Sequence, residues 1–353
     1  MNRVSALRER MQAENLDGYI VLAPENRRYI SGFTGTNALL LITRDQAFLY
    51  TDFRYIEQAA AQAKEFQIVK SEREVFSALA EAAGNLNTVG FEGDFVSFEN
   101  YLKLKENLSP TNLVSKPNLI PALRSVKGQD EIALIRKAVN LSDKAFEEII
   151  NLPLVGKRED EISIELEVFM RRQGASGGSF DFIVASGWRS SLPHGVGSSK
   201  TIQKGELLTL DFGAIYEGYC SDITRTVCLG QPDPRQLEIY DIVLSAQQAA
   251  LESVRPGLAG KEIDGVARKI IADAGYGEFF GHGLGHSVGL AIHEGPNLSP
   301  REERLLEPGM VITVEPGIYI PGWGGVRIED MILVTENGCE ILTQAPKQFI
   351  IVD

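Results

Sequence analysis

Apolar positions along this chain follow two rhythms, and the change between them divides it. In the early part short segments alternate. Val4, Leu7 and Met11 mark one face of an opening helix. Residues 19–22, 38–43, 46–50, 67–70 and 88–92 are short apolar runs set between polar or turn residues, which predicts strands, with a turn at Arg44-Asp45. Residues 55–63 and 74–83 are alanine-rich and predict helices. Strands alternating with helices point to an α/β domain over a mixed sheet. Ser31-Gly-Phe-Thr-Gly35 lacks the GxGxxG spacing of a phosphate loop and reads as a surface turn.

Lys116-Pro-Asn-Leu-Ile-Pro121 carries two prolines and predicts a domain boundary, giving an α/β unit over 1–121 and a second unit over 122–353. Beyond it the segments lengthen. Ile132, Ile135, Val139, Phe146 and Ile149 keep close to a 3.6-residue period, so 129–150 predicts a long amphipathic helix. Residues 159–173 predict another, ended by Gly174. Residues 180–185 read as a strand and 207–229 as a hairpin turning at 214–218. Helices over 236–254 and 261–274 follow, then strands over 310–315, 326–334 and 340–342. Runs of strands with helices beside them make the second unit α+β.

Composition narrows the partners. The net charge of −13 is uneven, with 13 basic against 15 acidic residues in 1–121 and 22 against 33 in the rest. Such a field repels phosphate backbones, which excludes nucleic acid, and it favours cations in the second unit. No run of apolar residues is long enough to span a membrane, and the N-terminus has no apolar signal core. Cys220, Cys228 and Cys339 form no CxxC pair and read as buried small hydrophobes in a reducing, cytoplasmic setting.

The chemistry gathers in the second unit. All four histidines lie there in glycine-bordered stretches: His194 in Pro-His-Gly, His282 and His286 in Gly281-His-Gly-Leu-Gly-His286, and His293 in Ile-His-Glu-Gly. Imidazole suits both metal binding and proton transfer near neutral pH. The segment 281–295 has too many glycines for a stable helix, so it predicts a looped strand bringing three imidazoles into one cavity. Asp211 follows the apolar run Leu-Leu-Thr-Leu, and Asp222 is expected in the facing strand of the same hairpin. A carboxylate in an apolar wall needs a partner, and a metal supplies one. Glu315 and Glu329 fall near the ends of two further strands. Arg327, two residues before Glu329, is expected on the same strand face, where it can orient a carboxylate.

Asp211, Asp222, Glu315 and Glu329 carry four negative charges, and His286 is neutral as a ligand. Two divalent cations cancel that sum. A pair of such ions can activate water and stabilise charge developing on a carbonyl. The oxygen-rich set suits Mn²⁺, while the imidazole also admits Co²⁺, Fe²⁺ or Zn²⁺.

In this order the motifs resemble the pita-bread metallopeptidases, and within them the Xaa-Pro branch of prolidase (Xaa-Pro dipeptidase) and aminopeptidase P. The resemblance covers the whole chain, because that branch has a smaller α/β domain before its pita-bread half. It implies that Asp211, Asp222, His286, Glu315 and Glu329 are the metal ligands, Asp222 and Glu329 bridging. It also implies that His194, His282 and His293 bind substrate and pass protons, that Glu315 accepts a proton from the attacking water, and that Arg327 supports the site. Methionine aminopeptidases are similar at His286 and His293, but typically lack the counterparts of His282 and Arg327. Creatinases and the non-enzymatic relatives have lost ligands that are all kept here. The expected activity is hydrolysis of Xaa-Pro bonds in short proline-containing peptides by a homodimer. A dipeptidase leads, and aminopeptidase action on longer peptides or peptide binding without cleavage are the alternatives.

Overall fold

The computed structural model describes residues 2–71 and 75–352, arranged as two compact units, Met1–Arg124 and Ser125–Asp353. The division falls just beyond the proline-marked segment. Pro121 lies instead in the first turn of a short helix, Leu119–Arg124, that closes the first unit. The first N–H groups of a helix have no partner within it, so a proline there forfeits no bond.

The first unit is a six-stranded mixed sheet in the order Gln67–Lys70, Ala47–Thr51, Ala38–Thr43, Gly18–Val21, Thr88–Phe91, Asn112–Ser115. Its core holds Ile20, Leu39, Leu41, Phe48, Tyr50, Leu79 and Val89. The opening helix, Arg3–Ala13, buries Val4, Leu7 and Met11 as its periodicity requires. The helix expected over 74–83 is seen as Val75–Ala83, Glu74 lying outside the described residues. The segment read as a surface turn is different. Ser31 ends a helix, Pro24–Ser31, whose polar sequence hid it; Gly32 caps it in the left-handed conformation at φ 76°, and Phe33 is buried behind. The helix Phe98–Asn107 and the strand Asn112–Ser115 were likewise not legible from their short, mixed patterns.

The second unit repeats one theme: a pair of helices with a largely antiparallel sheet. Helices Gln129–Ile150 and Glu159–Arg172 share a core with the strands Ile183–Ser186, Leu207–Phe212 and Ile223–Leu229, through Phe146, Ile162, Leu166, Leu208, Leu210 and Val227. Helices Pro234–Ser253 and Gly260–Asp273 share another with the five-stranded sheet that includes Gly285–Ser287, Val311–Val314 and Asp330–Val334, through Val243, Ala246, Ile263, Ala267, Ile312 and Ile332. This is the pita-bread arrangement over an α+β unit.

Two details matter for the site. In the hairpin Asp211 faces Thr224, and Asp222 lies one residue before the partner strand rather than within it, so the two carboxylates are diagonal neighbours. The strand expected over 326–334 breaks into Gly324–Arg327 and Asp330–Val334. Glu329 sits in the break, its N–H bonded to the Thr224 carbonyl at 3.1 Å, so a shared strand face is not what places it near Arg327. The break follows from strand pairing: Arg327 pairs with Gly317 in a two-stranded ribbon, whereas Asp330 pairs with Val314 in the five-stranded sheet.

Candidate active site

One cavity of about 600 Å³ in the second unit is lined by all nine residues singled out above: Asp211, Asp222, His286, Glu315, Glu329, His194, His282, His293 and Arg327. Phe180, Ile183, Pro193 and Val196 give it an apolar wall.

Backbone contacts explain the convergence. His286 is the middle residue of the strand Gly285–Ser287, and its N–H donates to Thr313 Oγ1 at 3.1 Å. Gly285 must be glycine, because a Cβ there would meet the Thr313 carbonyl oxygen at 2.0 Å. Glu315 follows the strand Val311–Val314, and its N–H donates to the Leu284 carbonyl at 2.8 Å. Arg225, fully buried, donates to the carbonyl of Glu329 and to Asp330 Oδ1, fixing the break that carries Glu329. Nothing in the sequence around Arg225 signals its contact with Glu329, which lies 104 residues away.

The electrostatics of this cluster call for cations. His286 Nδ1 lies 3.1 Å from the Ser287 carbonyl. A carbonyl only accepts, so Nδ1 carries the proton and Nε2 presents a lone pair. That lone pair stands 3.6 Å from Asp222 Oδ2 and 3.5 Å from Glu315 Oε1. Protonating Nε2 would relieve the conflict, but burial lowers the His286 pKa to about 4. Asp211 Oδ1 and Asp222 Oδ1 are buried without any hydrogen-bond partner among the described residues. Asp222, His286 and Glu329 each offer a ligand atom within 4.8 Å of the others. An imidazole lone pair facing two carboxylates, with further carboxylate oxygens of the same cavity left without partners among the described residues, is a donor set for a divalent metal. In the protein alone, burial and then mutual repulsion push the Asp222 and Glu329 carboxyls well above the usual range, and Glu315 up to about 8.

A second network lies behind the first. Arg327 donates through Nη2 to Asp211 Oδ2, through Nη1 to the Tyr319 hydroxyl at 2.8 Å and through Nε to Thr224 Oγ1 at 3.1 Å. Thr224 in turn donates to Glu329 Oε2 at 2.7 Å. Burial opposes the guanidinium charge, but Tyr319, Asp211 and Glu315 hold it firmly protonated. Burial likewise pushes the Tyr319 hydroxyl up to about 12, so it keeps its proton. His282 Nδ1 donates to the Gly283 carbonyl at 2.7 Å, which leaves Nε2, 2.9 Å from the Tyr319 hydroxyl, to accept that proton. Burial, with Arg327 nearby, lowers the His282 pKa to about 4 and keeps the ring neutral.

The protein engages both ring nitrogens of His282, through Gly283 and Tyr319, while the residue also lines the cavity. Among the described residues no hydrogen bond engages the rings of His194 or His293, both of which line the cavity. The His293 ring packs edge-on against His286 with centroids 4.5 Å apart. Tyr319 was not legible beforehand. It lies in an ordinary apolar strand, Gly317–Ile320, and only the chain's path shows that its hydroxyl meets Arg327.

Residues 133–336 match metallopeptidase family M24, and residues 3–126 match the creatinase/prolidase N-terminal domain. Over 352 residues the chain is 42% identical to an Xaa-Pro dipeptidase of Pyrococcus furiosus, with 99% of each chain covered. The solved structure of an Xaa-Pro dipeptidase from Bacillus anthracis superposes with a TM-score of 0.97 at 46% identity, covering 99% of both chains. That of an X-Pro aminopeptidase from Thermotoga maritima superposes at 0.91 with 38% identity, covering 97% of this chain and 100% of the other.

Proposed function

The chain belongs to metallopeptidase family M24, and on that premise we propose that it is an Xaa-Pro dipeptidase using two divalent metal ions, with Mn²⁺ the best match to its oxygen-rich donors. One observation carries the reading: the buried Asp211 and Asp222 oxygens without partners among the described residues, in one cavity with an imidazole lone pair that faces carboxylates. Asp211, Asp222, His286, Glu315 and Glu329 would hold the ions, and their four negative charges match two dications. Bound there, the ions would supply Lewis acidity and a nucleophile from water at neutral pH.

The remaining steps fall to the chain's own groups. Glu315 is the acceptor for the proton of the attacking water. Arg327 fixes one oxygen of Asp211, and the other, without a partner among the described residues, would be left for an ion. The bond before proline is a tertiary amide with no N–H, so recognition has no scissile donor to use, and its departing nitrogen must gain a proton. His194 and His293, whose rings make no hydrogen bond among the described residues, are the groups assigned to bind the substrate and deliver that proton. The apolar wall of Phe180, Ile183, Pro193 and Val196 suits an apolar substrate side chain.

A second reading, aminopeptidase action on longer peptides, has its own support. Arg327 is the one cation among the described residues lining the cavity, and Asp211, Tyr319 and Thr224 already occupy it. A dipeptide's free carboxylate therefore finds imidazoles here, and no unpaired cation. Comparing Ala-Pro with Ala-Pro-Ala on metal-restored protein separates the two readings; turnover of neither would defeat both. The resemblance supports a homodimer. The free state of all three cysteines supports a cytoplasmic setting, and no described helix is long and apolar enough to cross a membrane.

A further inference from the structure

His194 is carried on a segment, residues 187–197, that has little regular structure beyond the single turn Gly187–Ser191. Something must hold it, because a proton donor left mobile does not meet a departing nitrogen reliably. The structure assigns that task to Glu159. This residue opens the helix Glu159–Arg172 and is fully buried. A carboxylate in a first helical turn ordinarily serves its own helix dipole. Here both oxygens are turned outward onto the two ends of the His194 segment.

Oε1 accepts from Ser186 N–H at 2.7 Å and from Ser186 Oγ at 2.8 Å, before the segment. Oε2 accepts from Ser198 Oγ at 2.7 Å and Ser198 N–H at 3.3 Å, after it, and from the Arg189 guanidinium within it. Arg189 passes the restraint on, donating through Nη2 to the Val196 carbonyl at 3.0 Å. On its other side the segment is tied to the strand of Arg327, where Gly325 N–H donates to Ser190 Oγ at 2.8 Å. One buried carboxylate thus closes the loop that places His194, Pro193 and Val196 along the cavity. Charge-assisted bonds of this kind are short and strong, and losing their shared acceptor strands several buried donors at once.

We infer that Glu159 is a positioning residue for Xaa-Pro hydrolysis, acting through His194 rather than on substrate. The inference rests on the reading of this cavity as a peptidase site and on His194 as its proton donor.

The experiment is a double-mutant cycle. Glu159→Ala is expected to lower kcat for Ala-Pro about tenfold or more while KM and metal content change little. In a His194→Ala background the same substitution is expected to cost nothing further, because the group it positions is gone. Glu159→Gln keeps an acceptor for Ser186 and is expected to fall between wild type and Glu159→Ala. Should Glu159→Ala fail to fold, Ser198→Ala removes one of the bonds and enters the same cycle, with a smaller loss expected. An equal fold loss in both backgrounds overturns the inference. A second readout needs no catalysis: the imidazole NMR signal of His194, identified by its absence in His194→Ala, is expected to broaden or shift in Glu159→Gln while that of His282 stays in place. An unmoved His194 signal overturns the inference even in a protein that cleaves nothing, whereas a wild type without turnover defeats the peptidase reading alone.

Discussion

Arg327 donates through Nη2 to one oxygen of Asp211, and the other oxygen of that carboxylate is buried with no partner among the described residues. The guanidinium thus does half of a task. It aims Asp211, supports Tyr319 and, through Thr224, steadies Glu329, but it leaves the inward face of the carboxylate unsatisfied.

Removing that support is expected to be severe. Arg327→Ala leaves Asp211 buried beside an empty space, and breaking one side of a buried ion pair costs about 3–5 kcal/mol. Thermal melts are expected to show the loss of stability, and kcat to fall at least a hundredfold in the fraction that folds. Arg327→Lys can reach one partner rather than three, so it is expected to rescue melting better than turnover. Near-wild-type turnover in Arg327→Lys contradicts the role.

Asp222→Asn and Glu329→Gln keep side-chain volume and remove charge. Each is expected to lower the metal retained after dialysis and to abolish cleavage of Ala-Pro. Elemental analysis checks the first and a ninhydrin assay the second. Full metal retention in either variant argues against its place among the ligands.

The metal-free protein has a distinct pH signature. Burial, with Asp211 adding to it, raises Glu315 from 4.5 to about 8, and Asp222 and Glu329 move in the same direction. Between those values the folded state binds more protons than the unfolded one, so stability falls as pH rises through the window. His282 and His286 act oppositely, but only between about 4 and 6.5, where the unfolded state binds the extra protons. From pH 6.5 to 8 the carboxyls dominate. The melting temperature of chelated protein is expected to drop across that interval, and Mn²⁺ to remove the drop. A chelated protein whose melting point rises or holds level there contradicts the crowding of acids.

Much of this site was legible because its chemistry is local in sequence. Glycine-bordered histidines and acids at the ends of apolar runs stand out in a chain with only four histidines. The long helix Gln129–Ile150 was legible because a 3.6-residue period persists over many turns. Contacts across distant segments were hidden. Tyr319, Thr224 and Glu159 look ordinary in sequence, and their partners lie 8 to 105 residues away. The strand break at Glu329 was hidden for a related reason: which ribbon a strand joins depends on pairing partners, not on its own apolar pattern. His282 shows the limit most plainly, since only the structure reveals that Gly283 and Tyr319 claim both its nitrogens.

The most direct measurement is a titration of Mn²⁺ into chelated protein, following bound metal and Ala-Pro cleavage together. The account predicts no cleavage without metal, and activity that climbs with occupancy and levels off near two ions per chain. Cleavage by the metal-free protein, or full occupancy with no cleavage of Ala-Pro or Ala-Pro-Ala, would contradict it.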